Sequence, residues 1–268
     1  MDLIVDGRRA YAYTAGHALD AALPSVVFVH GAANDHSAFL LQSRYFAYHR
    51  CNALAVDLPG HGRSAGPPLA TIAALADWLA SLLDAAGIRT AALVGHSMGS
   101  LVTLECAARH PERARALALI GTSAPMPVGE ALMDAAREHS HAALDMLNIW
   151  GHSAGAQLGG NTVPGMWMTG TYVRLLERAK PQVLHVDLKA CADYADGLAS
   201  AARVKCPTLF VLGSRDALTP PRNARDLRAA LPAARIVMLD GAGHALLAER
   251  PDAVLDALIG FVDAPTGA

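Results

Sequence analysis

The 268-residue sequence carries almost no net charge: 22 lysines and arginines stand against 24 aspartates and glutamates, a formal −2. With no basic stripe or acidic tail there is no electrostatic footprint for nucleic acid or an anionic membrane surface, and the expected partner is a small molecule. Cysteine is scarce as well. Cys51, Cys106, Cys191 and Cys206 are widely spaced and include no C-x-x-C pair, which argues against zinc sites, dithiol redox chemistry and a dense disulfide framework; buried thiols are expected. A long charge-free apolar run is also missing, because the stretch over 72–88 is interrupted by Asp77 and Asp84 and falls short of a membrane span. The first six residues lack the basic and apolar regions of a secretory signal, so a cytoplasmic protein is expected.

Apolar content, in contrast, is plentiful. With 53% hydrophobic and 17% charged residues the chain can bury a substantial core, which excludes an intrinsically disordered protein. A short hairpin is expected over 3–13, around Gly7. Short aliphatic runs at 25–30, 53–56, 91–94 and 116–120 then stop at Gly31, Asp57, Gly95 and Gly121, the pattern of buried strands. Between them, 71–86 places Ile72, Leu75, Leu79, Leu82 and Leu83 at helical spacing, and 101–109 continues as a helix. Such alternation implies a parallel sheet covered by helices on both faces. It lapses over 122–205, where Met-, His- and Trp-bearing helical pieces surround a loop at 155–170 with five glycines, Pro164 and Trp167. Strands at 208–212 and 236–239 and helices at 220–230 and 251–262 resume it. The expected organisation is a core of residues 1–121 and 206–268 with an inserted helical cap over 122–205.

Two segments match G-x-S-x-G, the nucleophile elbow, in which glycines relieve crowding around a serine on a sharp strand-to-helix turn: Gly95-His96-Ser97-Met98-Gly99 and Gly151-His152-Ser153-Ala154-Gly155. The pattern alone does not choose between them, but its surroundings do. Ser97 follows a strand-like run and precedes a helix, whereas Ser153 follows a helix-like segment and precedes a stretch broken by Gly159, Gly160 and Pro164. Ser97 is therefore the expected nucleophile. A serine hydroxyl needs a base and an orienting carboxylate to react at neutral pH. His244, in a glycine-bearing loop after the strand at 236–239, and Asp216, just after the strand at 208–212, supply both. Thr219-Pro220 reads as a helix N-cap followed by proline at the first helical position. Asp240 is the rival acid, expected instead to cap its own turn. His139 and His141 form an H-x-H pair beside Glu138 without further ligand spacing, a polar helix face rather than a metal site.

With these residues the chain resembles the α/β-hydrolase superfamily, in particular its cap-bearing esterase, lactonase and C–C hydrolase branch, over nearly its whole length. The order Ser, Asp, His is that superfamily's order. His30-Gly31-Ala32-Ala33 is similar to its H-G loop, and Asp57-Leu58-Pro59-Gly60-His61-Gly62-Arg63-Ser64 to its D-x-P-G-x-G-x-S turn. The resemblance implies a doubly wound α/β fold with a mostly parallel eight-stranded sheet and a helical cap between strands 6 and 7. It further implies a Ser97, Asp216 and His244 triad, and an oxyanion hole from the backbone N–H groups of Ala32 and Met98. Asp57, His61 and Arg63 are expected to shape their loop. Serine at the elbow sets aside the dehalogenases and epoxide hydrolases of this fold, which carry aspartate there. The cap is expected to line the substrate pocket with Met126, Met146, Trp150 and Trp167. The expected activity is hydrolysis of a small, largely apolar carboxylic ester through an acyl-Ser97 intermediate, with no cofactor or metal, falling as pH drops through the histidine range of about 6 to 7. A C–C hydrolase or enol-lactonase of aromatic degradation, and a slow-turnover ligand receptor, are the alternatives.

Overall fold

A computed structural model describes residues 1–160 and 167–262. The chain opens with an antiparallel hairpin, β1 (Asp2–Val5) and β2 (Arg8–Tyr13), and continues with β3 (Ser25–Val29), α1 (Leu40–Tyr48), β4 (Asn52–Asp57), α2 (Ile72–Ala85), β5 (Ala91–His96), α3 (Met98–Arg109) and β6 (Ala114–Ile120). Helices α4 (Glu130–Arg137), α5 (His141–Gly151), α6 (Ala154–Gln157), α7 (Met168–Leu176), α8 (Val183–Asp193) and α9 (Gly197–Ala201) follow before the chain re-enters the sheet. It closes with β7 (Thr208–Gly213), α10 (Arg225–Ala230), β8 (Arg235–Leu239), α11 (Leu246–Glu249) and α12 (Pro251–Val262).

These strands form one eight-stranded sheet in the order β1-β2-β4-β3-β5-β6-β7-β8, parallel throughout from β4 to β8. The period of two along each strand explains why its sequence reads as a continuous apolar run. In β3, Val27 and Val29 enter the core shared with α2 and α3, while Val26 and Phe28 enter the core on the α1 and α12 face. Phe210 and Leu212 on one side, and Leu209 and Val211 on the other, repeat this in β7. Each such fully buried side chain contributes roughly 1.5–3 kcal/mol over leaving it exposed. The cap helices have a third, separate core that includes Leu132, Leu147, Leu176, Leu184 and Leu188.

Because β3 pairs with β4 on one edge and β5 on the other, the chain reverses direction across the sheet there. Such a reversal leaves a crevice at the carboxyl ends of the strands, where ligands of open α/β sheets bind. Helix α1 has no visible signature in the sequence. It buries Gln42 and Ser43 beside Phe46 and leaves Leu41 exposed, so its apolar residues do not mark its inner face. The element expected at 220–230 begins as a 3₁₀ turn over Pro221–Ala224, with Pro220 rather than Thr219 at the cap. The loop expected at 155–170 is partly helical at both ends, in α6 and α7, and its Pro164 and Met166 lie outside the described residues.

Candidate active site

Ser97 sits between β5 and α3 with φ 53° and ψ −123°, a backbone region that costs a non-glycine residue on the order of 1–3 kcal/mol. The residues two positions before and after it, Gly95 and Gly99, are glycines because nothing larger fits. A Cβ on Gly95 would lie 2.1 Å from the Gly99 carbonyl oxygen, and one on Gly99 would lie 2.1 Å from that of Val29. Crowding by the backbone, rather than flexibility, thus explains the motif.

Asp216 and His244 project from the loops after β7 and β8, the adjacent parallel strands paired from Leu209↔Arg235 to Gly213↔Leu239. His244 Nδ1–H donates to Asp216 Oδ2 at 2.8 Å. The second carboxylate oxygen accepts the N–H groups of Leu218 and Thr219 at 2.9 and 2.7 Å, and the Thr219 hydroxyl donates to Oδ2 at 2.8 Å. Thr219, read from sequence as a helix cap, is thus tied to the acid. Burial alone would raise the Asp216 carboxyl, but the charge and hydrogen bond of His244, with the Thr219 donors, outweigh it and bring the carboxyl down to about 2. Asp240 is exposed and accepts from Ser214 Oγ at 3.1 Å, away from this cluster.

Ser97 and His244 line one cavity of about 230 Å³, together with Gly31, Ala32, Asn34 and Thr219 from the core and Met126, Leu132, Leu147, Trp150, Tyr172 and Leu188 from the segment between β6 and β7. A Cβ on Gly31 would come within 3.1 Å of Ser97 Cβ, so the loop after β3 abuts the serine. Ala32 opens on the cavity. Met98 turns its side chain into the core, leaving its backbone N–H beside Ser97 at the first position of α3, where no carbonyl of the helix can accept it. Of the residues expected to line the pocket, Met126 and Trp150 do so; Met146 packs into the cap's own core, and Trp167, at the start of α7, is 76% exposed.

Three features were not legible from sequence. His96, the second residue of the elbow, is buried beside His244, with ring centroids 4.9 Å apart, and its Nε2–H donates to the His244 carbonyl at 2.9 Å. Burial, then the proximity of His244, lowers it to about 3, so it is a neutral brace for the histidine loop. Asn34 and Tyr172 add polar side chains to a lining whose other polar members include Ser97, Thr219 and His244. The second motif has a structural use: Ser153 caps α6 by accepting from Ala156 N–H, and its hydroxyl donates at 2.6 Å to the fully buried Glu249, whose carboxylate also accepts the N–H of Gly243, the residue before His244. Ser153→Ala is therefore expected to keep kcat within about threefold while lowering stability by about 1–3 kcal/mol, the cost of taking a donor from a buried carboxylate. Urea unfolding and steady-state kinetics on the same preparation check both.

Among the described residues the tightest grouping of possible metal ligands is Asp35, His36 and Asp57. Its acceptors are already used. Asp57 takes His36 N–H and Nδ1–H and the Arg63 N–H, and Asp35 takes Ser37 and Arg178. The exposed His141 pairs with Asp145 and Glu177, which fits the polar helix face expected of it.

Residues 26–257 match the alpha/beta hydrolase family. A pimeloyl-[acyl-carrier protein] methyl ester esterase of Neisseria meningitidis is 32% identical over 84% of this chain and 87% of that protein. A putative carbamate hydrolase of Klebsiella pneumoniae is 28% identical over 82% and 84%. Among solved structures, the enol-lactonase of Burkholderia xenovorans LB400 superposes with a TM-score of 0.83 and 25% identity over 97% of this chain and 99% of that one.

Proposed function

This chain belongs to the alpha/beta hydrolase family, and from that premise we propose that it is a serine hydrolase cleaving small, largely apolar carboxylic esters through an acyl-Ser97 intermediate. The observation that carries this reading is the strained elbow serine and His244 lining one cavity, with the buried Asp216 hydrogen-bonded behind the histidine. Ser97 Oγ attacks the ester carbonyl while His244 Nε2 takes its proton. The N–H groups of Ala32 and Met98 receive the oxyanion of the tetrahedral intermediate, an interaction typically worth roughly 3–4 kcal/mol per donor. His244 then returns the proton to the leaving alcohol, and a water activated by the same nitrogen releases the acid. Asp216, ionised down to about pH 2, holds the Nδ1–H tautomer and stabilises the imidazolium.

Size and polarity narrow the substrate. About 230 Å³ lies below the roughly 300–1,000 Å³ usual for drug-sized ligands, which favours a short acyl or alcohol group. No lysine or arginine is among the described residues lining the cavity, so a substrate carboxylate would be buried there without a counter-ion. A lactone is a cyclic ester open to the same attack, and likeness to an enol-lactonase keeps that class beside the open-chain esters. Hydrolysis of p-nitrophenyl esters from acetate to decanoate tests the reading. The expected kcat/KM peaks at a short acyl length, about two to six carbons, and falls at least tenfold by decanoate, while inertness toward every ester and lactone in the panel would overturn it.

A further inference from the structure

The cap segment does more than wall the cavity. The turn after β3, which carries Ala32, is closed by Asn34 N–H donating to the Gly31 carbonyl at 3.2 Å, and it forces Ala33 to φ 55°, a conformation that favours glycine. A side chain from α8 meets that strained residue. Asp187, 1% exposed, accepts the Ala33 N–H on Oδ2 at 2.8 Å, although 154 residues separate the two in the chain.

The same carboxylate oxygen accepts from His61 Nε2 at 2.8 Å, and His61 Nδ1 lies 3.0 Å from the Pro59 carbonyl. Both ring nitrogens thus face oxygen atoms of acceptor groups, the arrangement that a doubly protonated, charged ring satisfies. Burial opposes that charge, but Asp187 outweighs it and raises the histidine. His30, 4.9 Å away, differs: its Nδ1 donates to Gly31 O while its Nε2 accepts Leu58 N–H, which leaves the ring neutral. Only one charged histidine therefore faces Asp187 here, and the two form a buried ion pair across the boundary between α8 and the core. On the same helix the adjacent Leu188, and Cys191 one turn along, line the cavity itself.

We propose that Asp187, with His61 as its counter-ion, is a positioning residue for the oxyanion hole: by fixing the Ala32–Ala33 peptide it aims the Ala32 N–H at the substrate carbonyl. This rests on the ester-hydrolase reading above. Asp187 touches no substrate, so its removal acts on the transition state through Ala32 rather than on binding.

The test compares parent, Asp187→Leu, Asp187→Asn and Ser97→Ala with the best p-nitrophenyl ester, adding inhibition by an alkyl trifluoromethyl ketone, whose tetrahedral adduct reads the hole. Asp187→Leu is expected to lose about 30-fold or more in kcat, and a similar factor in ketone affinity, with KM within about threefold. Asp187→Asn keeps a neutral acceptor for Ala33 and is expected to lose only about 3–10-fold. If the leucine variant does not fold, the asparagine variant decides. A folded Asp187 variant with kcat within twofold of the parent, or one whose loss lies wholly in KM, overturns the proposal. With Ser97→Ala inactive, that result removes this inference alone; with Ser97→Ala fully active, the ester-hydrolase reading itself has failed and this inference falls with it.

Discussion

Ser97→Ala is expected to lower kcat by roughly 10⁵–10⁶-fold while leaving the fold intact. The size follows from what remains. Without the hydroxyl there is no nucleophile, and only the Ala32 and Met98 donors and the cavity are left to assist water, a residual effect of roughly 10³–10⁴ over the uncatalysed reaction. The methyl group of alanine needs no more space than the serine Cβ, but it inherits the same φ of 53°, so no gain in stability from relieved strain is expected. Steady-state kinetics with circular dichroism on parent, Ser97→Ala and Ser153→Ala separate the two matching motifs. Loss confined to Ser97→Ala is the expected result, and equal loss in Ser153→Ala would contradict the assignment.

Asp216→Asn is expected to cost about 10⁴-fold in kcat. The carboxylate accepts the His244 Nδ1–H on Oδ2, and an amide whose oxygen stays at the Oδ1 position to accept the Leu218 and Thr219 backbone N–H groups presents its NH₂ to that nitrogen, moving the proton to Nε2, where it blocks the base. Asp240→Asn, which alters an exposed carboxylate bound to Ser214, is expected to stay within twofold of the parent. The pH dependence has a definite sign. The folded pKa of Asp216 lies below the ordinary carboxylate value, so its contribution of about 2 kcal/mol is present above pH 4 and is lost as pH falls through about 2. Parent and Asp216→Asn melting temperatures should therefore converge on acidification from pH 4 to pH 2. A gap that stays constant over that interval would contradict the pairing.

The strands, and the places of Ser97, Asp216 and His244 in the loops that follow them, were legible because their signals are local. An aliphatic run bounded by glycine or aspartate is a strand wherever both sheet faces are covered, and Ser97, Asp216 and His244 each follow such a run directly. The cap was legible as an interruption of that rhythm. Its detailed contacts were not, because helical spacing gives a face without saying what lies opposite. Met126 and Trp150 reach the cavity whereas Met146 fills the cap's own core, and their residue types do not distinguish these fates. Asp187 reads along the chain as an ordinary helix acid; only the docking of α8 against the loops after β3 and β4 makes it a partner of Ala33 and His61. Likewise nothing near Ser153 in the chain shows its use, because Glu249, which accepts its hydroxyl, lies 96 residues further on.

A covalent acyl group on Ser97 is detected directly by intact-protein and peptide mass spectrometry after acid quench during turnover of a slowly deacylating p-nitrophenyl ester. One acyl mass added per chain is expected, located on the peptide bearing Ser97 and absent from Ser97→Ala. Turnover with no adduct, or an adduct on Ser153, would contradict it.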